Sequence, residues 1–173
     1  MIIIDIETSG LDERENCMLS LGAVEFETGQ EFYGECKTYT DSIISEQALA
    51  VNGFTYAQAN DPTKRVPHEL ILDFCRWAVE LKHGQLLAGQ QVGSFDIRFV
   101  KWIFDHNYLS SVGIKWPFGY RSLDLHSVAY AKWRESLSLD GILVKLGLAP
   151  EVKPHNALTG AKLEAEALKR LLV

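Results

Sequence analysis

Asp5 and Glu7 stand two residues apart in the opening run Met1-Ile2-Ile3-Ile4-Asp5-Ile6-Glu7. In a strand, side chains at i and i+2 leave the same face, about 7 Å apart. Thr8-Ser9-Gly10-Leu11 reads as the turn that ends this strand. The two carboxylates then fall at its C-terminal edge, where open α/β sheets keep their ligands. Two carboxylates with no basic partner in the motif suit a divalent cation. A glycosidase acid–base pair fits less well, because those carboxylates flank the scissile bond while these two share one strand face.

Two more groups extend the pair. Phe95-Asp96 follows Ala88-Gly89-Gln90-Gln91-Val92-Gly93 at a predicted helix start, where the helix macrodipole favours a carboxylate. His155-Asn156-Ala157 stands just before the last predicted helix. A histidine there can take a proton from a water, since its ordinary pKa lies near neutrality.

The elements that must position these groups are legible in outline. The first strand carries Ile2, Ile3 and Ile4 without alternation, the pattern of a strand buried on both faces. A second strand is expected over about 18–27 and a third over 31–38, joined by Thr28-Gly29-Gln30. A short helix over 46–51 stops at Asn52-Gly53, a pair that suits a left-handed C-terminus. The next helix runs over 67–82, with Pro67 at a first helical position and Leu70, Phe74, Trp77, Ala78 and Leu81 in one apolar stripe. A strand over 86–89 leads to a helix opening near Asp96, with Ser94 as the expected N-cap. A fifth strand near 122–123 passes into a helix over 125–133, followed by another over 139–146. Asn156 caps the last helix, in which Ala157, Ala161, Ala165, Leu168 and Leu172 repeat at helical spacing. Three strands followed by helices alternating with two more make one α/β domain over 1–173.

Bulk properties narrow the classes. A chain of 173 residues, 47% hydrophobic, is long enough for one domain with a full core. No apolar run approaches the roughly 18 residues of a membrane span, and the opening run is too soon broken by Asp5 for a signal peptide. Cys17, Cys36 and Cys75 are three in number with no C-x-x-C spacing. That pattern disfavours a disulfide framework or a zinc site and makes a cytoplasmic location the expectation. A net charge of −6 argues against a broad grip on duplex nucleic acid. A pocket for one strand end is compatible with it, because bound metal neutralises site carboxylates.

The order Asp5-Ile6-Glu7-Thr8-Ser9-Gly10-Leu11, then Phe95-Asp96, then His155-x-Ala157 resembles the DEDDh 3′→5′ exonuclease family. Polymerase proofreading subunits, ribonuclease T and oligoribonuclease belong to that family. The motifs span residues 5–161, and three in order are far more specific than D-x-E alone. The resemblance implies a ribonuclease H-like fold: a five-stranded mixed sheet, second strand antiparallel, flanked by helices. It further implies two-metal phosphodiester hydrolysis with Mg²⁺ or Mn²⁺ at single-stranded DNA or RNA ends. Asp5 would bridge both ions, Glu7 would hold the nucleophile-side ion, Asp96 the other side, and His155 would be the general base. Thr8 (through its backbone) and the Leu11 side chain match positions that meet the terminal nucleotide. Relatives of the oligoribonuclease and ribonuclease T kind are often dimers, so a homodimer is one expectation and a polymerase or other protein partner another.

The chain departs from the motif at one place. The family's last carboxylate falls five residues after the histidine, where this chain has Gly160 in His155-Asn156-Ala157-Leu158-Thr159-Gly160-Ala161. Glycine inside a helix costs about 1 kcal/mol relative to alanine, so local stability does not account for it. Loss of a metal-holding carboxylate predicts weakened activity. Glu164, one turn further on the same face, is a possible compensating ligand. The alternative is a catalytically inactive module of the same fold that binds nucleic-acid ends or a protein partner.

Other polar and aromatic residues read more simply. Asp124 and His126 straddle a strand–helix junction and suit a structural or surface role. Trp77, Trp102 and Phe95 suit the core. Asp12-Glu13-Arg14-Glu15 reads as a solvated loop. Lys64, Arg65, Lys132, Arg134, Lys153 and Lys162 are scattered cations, and none is singled out as a phosphate contact.

Overall fold

The computed structural model describes residues 1–82, 84–107 and 109–173. Strands β1 (Ile2–Thr8), β2 (Met18–Glu25), β3 (Glu31–Glu35), β4 (Leu87–Gly89) and β5 (Ser122–Asp124) form one sheet in the order β3-β2-β1-β4-β5. β2 runs antiparallel to β1 and to β3. β4 runs parallel to β1, and β5 parallel to β4. This is the mixed ribonuclease H-like sheet expected from the sequence. Among the described residues, no helix is long and apolar enough to cross a membrane.

β1 lies at the centre of the sheet, and its side chains divide between two cores. Ile2, Ile4 and Ile6 pack with Leu70 and Phe74 of α3 (Pro67–Glu80) and with Phe99 and Val100 of α4 (Asp96–His106). Ile3 packs on the opposite face with Leu125 of α5 (Leu125–Trp133), Ile142 of α6 (Leu139–Lys145), and Ala161 and Ala165 of α7 (Ala157–Leu171). Cover on both faces explains the unbroken apolar run. By strand parity, Asp5 and Glu7 share Ile3's face and therefore meet α7.

α7 lies close on the sheet. A Cβ placed on Gly22 of β2 would stand 2.3 Å from the Ala157 backbone, so the first turn of the helix rests directly on that strand. The alanine stripe expected at 157, 161 and 165 is buried and makes this approach possible.

Several element edges differ from expectation. β2 stops at Glu25 rather than 27, and β3 at Glu35 rather than 38. α3 stops at Glu80 rather than 82, because Leu81 turns extended at φ −81° and ψ 137°. α1 (Glu46–Asn52) ends where expected, with Gly53 left-handed at φ 74°. A four-residue helix, α2 (Tyr56–Ala59), adds to the expected set. Its signal is Thr55 with Gln58, a capping box satisfied in both directions. Ser94 is not the cap of α4. Phe95 holds that position, and the Ser94 hydroxyl donates to the Gln91 carbonyl at 2.9 Å.

Candidate active site

The two ends of the site are tied to β1 by backbone hydrogen bonds that side chains complete. β1 pairs with β4 only at Ile2–Leu87 and Ile3–Ala88, so β1 outruns its neighbour. The Ile2 N–H donates to the Leu86 carbonyl at 2.8 Å. Further along the same edge, the Ile6 N–H donates to Asp96 Oδ1 at 3.1 Å. The Asp96 carboxylate thus takes over where β4 stops and fastens the start of α4 between Asp5 and Glu7. On the other side, the buried Asn52 at the end of α1 donates through Nδ2 to the Thr8 carbonyl at 3.0 Å. The preceding Val51 carbonyl accepts the His155 N–H at 3.2 Å. One helix end therefore joins the end of β1 to the loop that carries His155. Asn156 then caps α7 as expected, its Oδ1 accepting from the N–H groups of Leu158 and Thr159.

These ties surround a cavity of about 240 Å³, lined by Asp5, Glu7, Asp96, Glu151, His155 and Glu164 among others. All the expected site carboxylates are there, and Glu164 with them. Glu7 is 8% exposed, and Asp96 and Glu164 are each 3% exposed. Glu164 Oε2 accepts the Gln90 N–H at 3.1 Å. Glu151 is a further carboxylate that sequence reasoning did not select. Its Oε2 lies 3.5 Å from His155 Nδ1, and its N–H donates to Asp140 Oδ1 at 2.9 Å. Nothing local marks it in Pro150-Glu151-Val152-Lys153-Pro154; only the fold carries that loop over the sheet edge.

Burial and mutual repulsion raise the proton affinity of the whole group. Burial, with the Glu151 charge added, pushes Glu7 up to about 7. Asp5 is held well above the usual carboxylate range by burial, then by Glu164, Asp96, Glu7 and Glu151. Burial also raises Asp96, against the hydrogen bond from the Ile6 N–H. Glu164 is raised by burial and the Asp96 charge, and Glu151 by burial. Such clustering of perturbed carboxylates in a cleft marks a functional site more often than a structural one.

The donor chemistry fits a hard divalent cation. Every candidate ligand is a carboxylate oxygen, the ligand type preferred by Mg²⁺ and Mn²⁺. Two buried acceptors of the cavity lining, Glu151 Oε1 and Gln90 Oε1, have no hydrogen-bond partner among the described residues. As the side chains stand, no three Asp, Glu, His or Cys groups among the described residues form a ready-made ligand set. The fit is one of donor type and convergence on a common cavity.

Gly160 leaves room for the Asp5 carboxylate as it is oriented. A Cβ there would stand 2.0 Å from Asp5 Oδ2 and 2.9 Å from its Cγ. The helix passes so near β1 that Asp5, as it is oriented, fills the space a side chain at 160 would need.

The remaining residues fall mainly as expected. Asp124 is the N-cap of α5, accepting the Ser127 N–H, and His126 contacts the Ser136 hydroxyl at 3.1 Å. Trp77, Trp102 and Phe95 pack against the first core. Lys64, Arg65 and Lys162 pair with Glu35, Asp73 and Glu31. The 12–15 run is not wholly solvated: Glu13 is paired with Arg98, its side chain only 11% exposed. The Thr8 side chain turns inward to donate to the Gly10 carbonyl at 2.6 Å, while Leu11 is 80% exposed beside the strand end.

Comparison with known proteins agrees with this architecture. The RNase_T family model, described as Exonuclease, matches residues 2–168. The chain is 29% identical over 185 residues to the 3′-5′ DNA exonuclease Cap18 of Escherichia coli, covering 97% of this chain and 89% of that protein. It is 28% identical over 175 residues to the PolC-type DNA polymerase III of Thermotoga petrophila. That match covers 99% of this chain but only 12% of the polymerase. The nuclease domain of 3′hExo, a DEDDh family member bound to rAMP, superposes with a TM-score of 0.75 at 18% identity, covering 99% of this chain and 90% of that one. E. coli Exonuclease I in complex with a dT13 oligonucleotide superposes with a TM-score of 0.77 at 18% identity, covering 97% and 39%.

Proposed function

We propose that this chain, which belongs to the DEDDh exonuclease family, removes nucleotides from the 3′ ends of single-stranded nucleic acid by metal-dependent hydrolysis. The observation that carries the reading is the convergence of Asp5, Glu7, Asp96 and Glu164 with His155 on one cavity at the end of β1. Cap18 and the nuclease domain of 3′hExo lend support by their names, one a 3′-5′ DNA exonuclease and the other the nuclease domain of a DEDDh family member, since this chain covers 89% and 90% of them.

Asp5, Glu7 and Asp96 would hold Mg²⁺ or Mn²⁺, with Glu164 adding a carboxylate from the β4 side of the cavity. A divalent ion supplies, when bound, the positive charge that stabilises the attacking and leaving oxygens of an in-line displacement. His155 is the general base. Its Nδ1 faces the Glu151 carboxylate, which leaves Nε2 to accept the proton of the attacking water and lets the carboxylate stabilise the imidazolium that results. The exposed Leu11 packs against the terminal base, and the Thr8 backbone, steadied by Asn52, meets the terminal nucleotide. Grip on a short end rather than a long duplex agrees with the net charge of −6 and with surface cations already paired to acids.

The test is digestion of 5′-labelled single-stranded DNA and RNA with Mn²⁺ or with EDTA. A ladder of products shortened from the 3′ end, dependent on metal, is expected from at least one of the two. Intact substrate of both kinds at saturating Mn²⁺ would overturn the assignment and favour an inactive end-binding module.

A further inference from the structure

We propose that Glu151 supplies, from the loop before His155, the carboxylate that the family motif carries on the last helix and that Gly160 lacks here. The proposal rests on the exonuclease reading and adds a residue to its metal-holding set.

Three observations converge on it. First, a Cβ on Gly160 would stand 3.4 Å from Glu151 Oε1. That oxygen therefore lies in van der Waals contact with the place where a side chain at 160 would begin. Second, Glu151 Oε1 is buried without a hydrogen-bond partner among the described residues, on a side chain only 7% exposed. A buried, unpartnered carboxylate oxygen is costly, so a cation that pairs with it removes a penalty the fold otherwise bears. Third, the loop is anchored at both ends: Glu151 N–H donates to Asp140 Oδ1, and His155 N–H to the Val51 carbonyl. The backbone that carries the carboxylate is thus fixed over the cavity.

Glu164 enters the cavity from another side. Its Oε2 accepts the Gln90 N–H at 3.1 Å, which draws it toward the end of β4. Glu151 instead lies against Gly160 and His155, on the side where the missing carboxylate belongs. The two acids are not substitutes for each other: Glu164 serves the β4 side of the cavity and Glu151 the Gly160 side.

A simpler role for Glu151 is to orient His155, whose Nδ1 lies 3.5 Å from Oε2. That role engages Oε2 alone, and the oxygen without a partner among the described residues is the other one. Isothermal titration calorimetry with Mn²⁺ separates the roles, using the full chain as wild type, Glu151→Gln, His155→Ala and the double variant. Gln keeps the shape of Glu, and a thermal melt of each variant checks folding. Glu151→Gln is expected to weaken Mn²⁺ binding by roughly 10–100-fold or more, the range for perturbing a metal's surroundings. The same weakening is expected when His155 is absent. Unchanged affinity, or a weakening seen only when His155 is present, overturns the proposal while leaving the exonuclease reading intact. A wild-type chain that binds no Mn²⁺ overturns both.

Discussion

The Asp5 carboxylate and the Gly160 backbone share one space: a methyl group added at 160 would stand 2.0 Å from Asp5 Oδ2. The contact runs between the central strand and the last helix, the two elements that frame the cavity. A side chain at 160 can enter only if the Asp5 carboxylate turns from its present orientation. Gly160→Ala, which makes Asp5 turn aside without supplying a ligand, should therefore lower turnover by roughly tenfold or more, about 1.4 kcal/mol in barrier, whereas Gly160→Asp, which also adds back the family's carboxylate, should lower it less or raise it. Helix propensity favours alanine by about 1 kcal/mol, so melting temperature should fall little in the alanine variant. Unchanged Mn²⁺-dependent degradation in Gly160→Ala would contradict this account.

His155→Gln removes the proton acceptor and leaves its neighbours in place. A fall of roughly 10²–10⁴-fold in kcat is expected, the usual range for a general base, with KM and Mn²⁺ affinity nearly unchanged. Steady-state degradation of a single-stranded oligonucleotide measures it. An equal effect carried by KM would instead assign His155 to substrate binding.

Stability without metal should depend on pH through Glu7. Burial and the Glu151 charge raise its carboxyl from 4.5 to about 7 in the folded chain. A carboxyl raised in the folded state binds its proton more tightly there. Its stabilising contribution is complete below about 4.5 and is lost as pH rises through about 7. In EDTA, Glu7→Gln should therefore match wild type at low pH and become the more stable protein by pH 8, by about 3 kcal/mol at most. Thermal melts of both proteins across that range check the sign. A constant difference at all pH values would show that Glu7 does not titrate as described.

Leu11, at 80% exposed, contributes little to the fold. Leu11→Ala should change stability by less than about 0.5 kcal/mol. It should raise KM for a single-stranded substrate roughly fivefold, the effect of removing about 1 kcal/mol of apolar packing on the terminal base. Unchanged KM would show that Leu11 does not meet the nucleotide.

Much of the fold is legible because its signals are local. The run Ile2-Ile3-Ile4 marks a strand covered on both faces, Pro67 opens a helix, and Asn52-Gly53 and Asn156 bound two others. The cap of α4 is not legible, because Asp96 spends its carboxylate on a strand N–H ninety residues away, a pairing that no window around Ser94 contains. The same distance in sequence hides Asn52, which joins β1 to the His155 loop, and Glu151, whose neighbours give it no motif. Gly160 is visible as a departure, yet its contact with the Asp5 carboxylate depends on how near the last helix comes to β1. Glu13 reads as solvated because its partner Arg98 is on another element.

Anomalous diffraction at the manganese edge, from crystals soaked in Mn²⁺, bears most directly on how the acidic cleft works. A peak within coordination distance of the Asp5, Glu7 and Asp96 carboxylates, abolished in Asp5→Asn, is the predicted result. A cleft that stays empty at saturating Mn²⁺, in crystals of a protein whose wild-type form still shortens single strands, would contradict it.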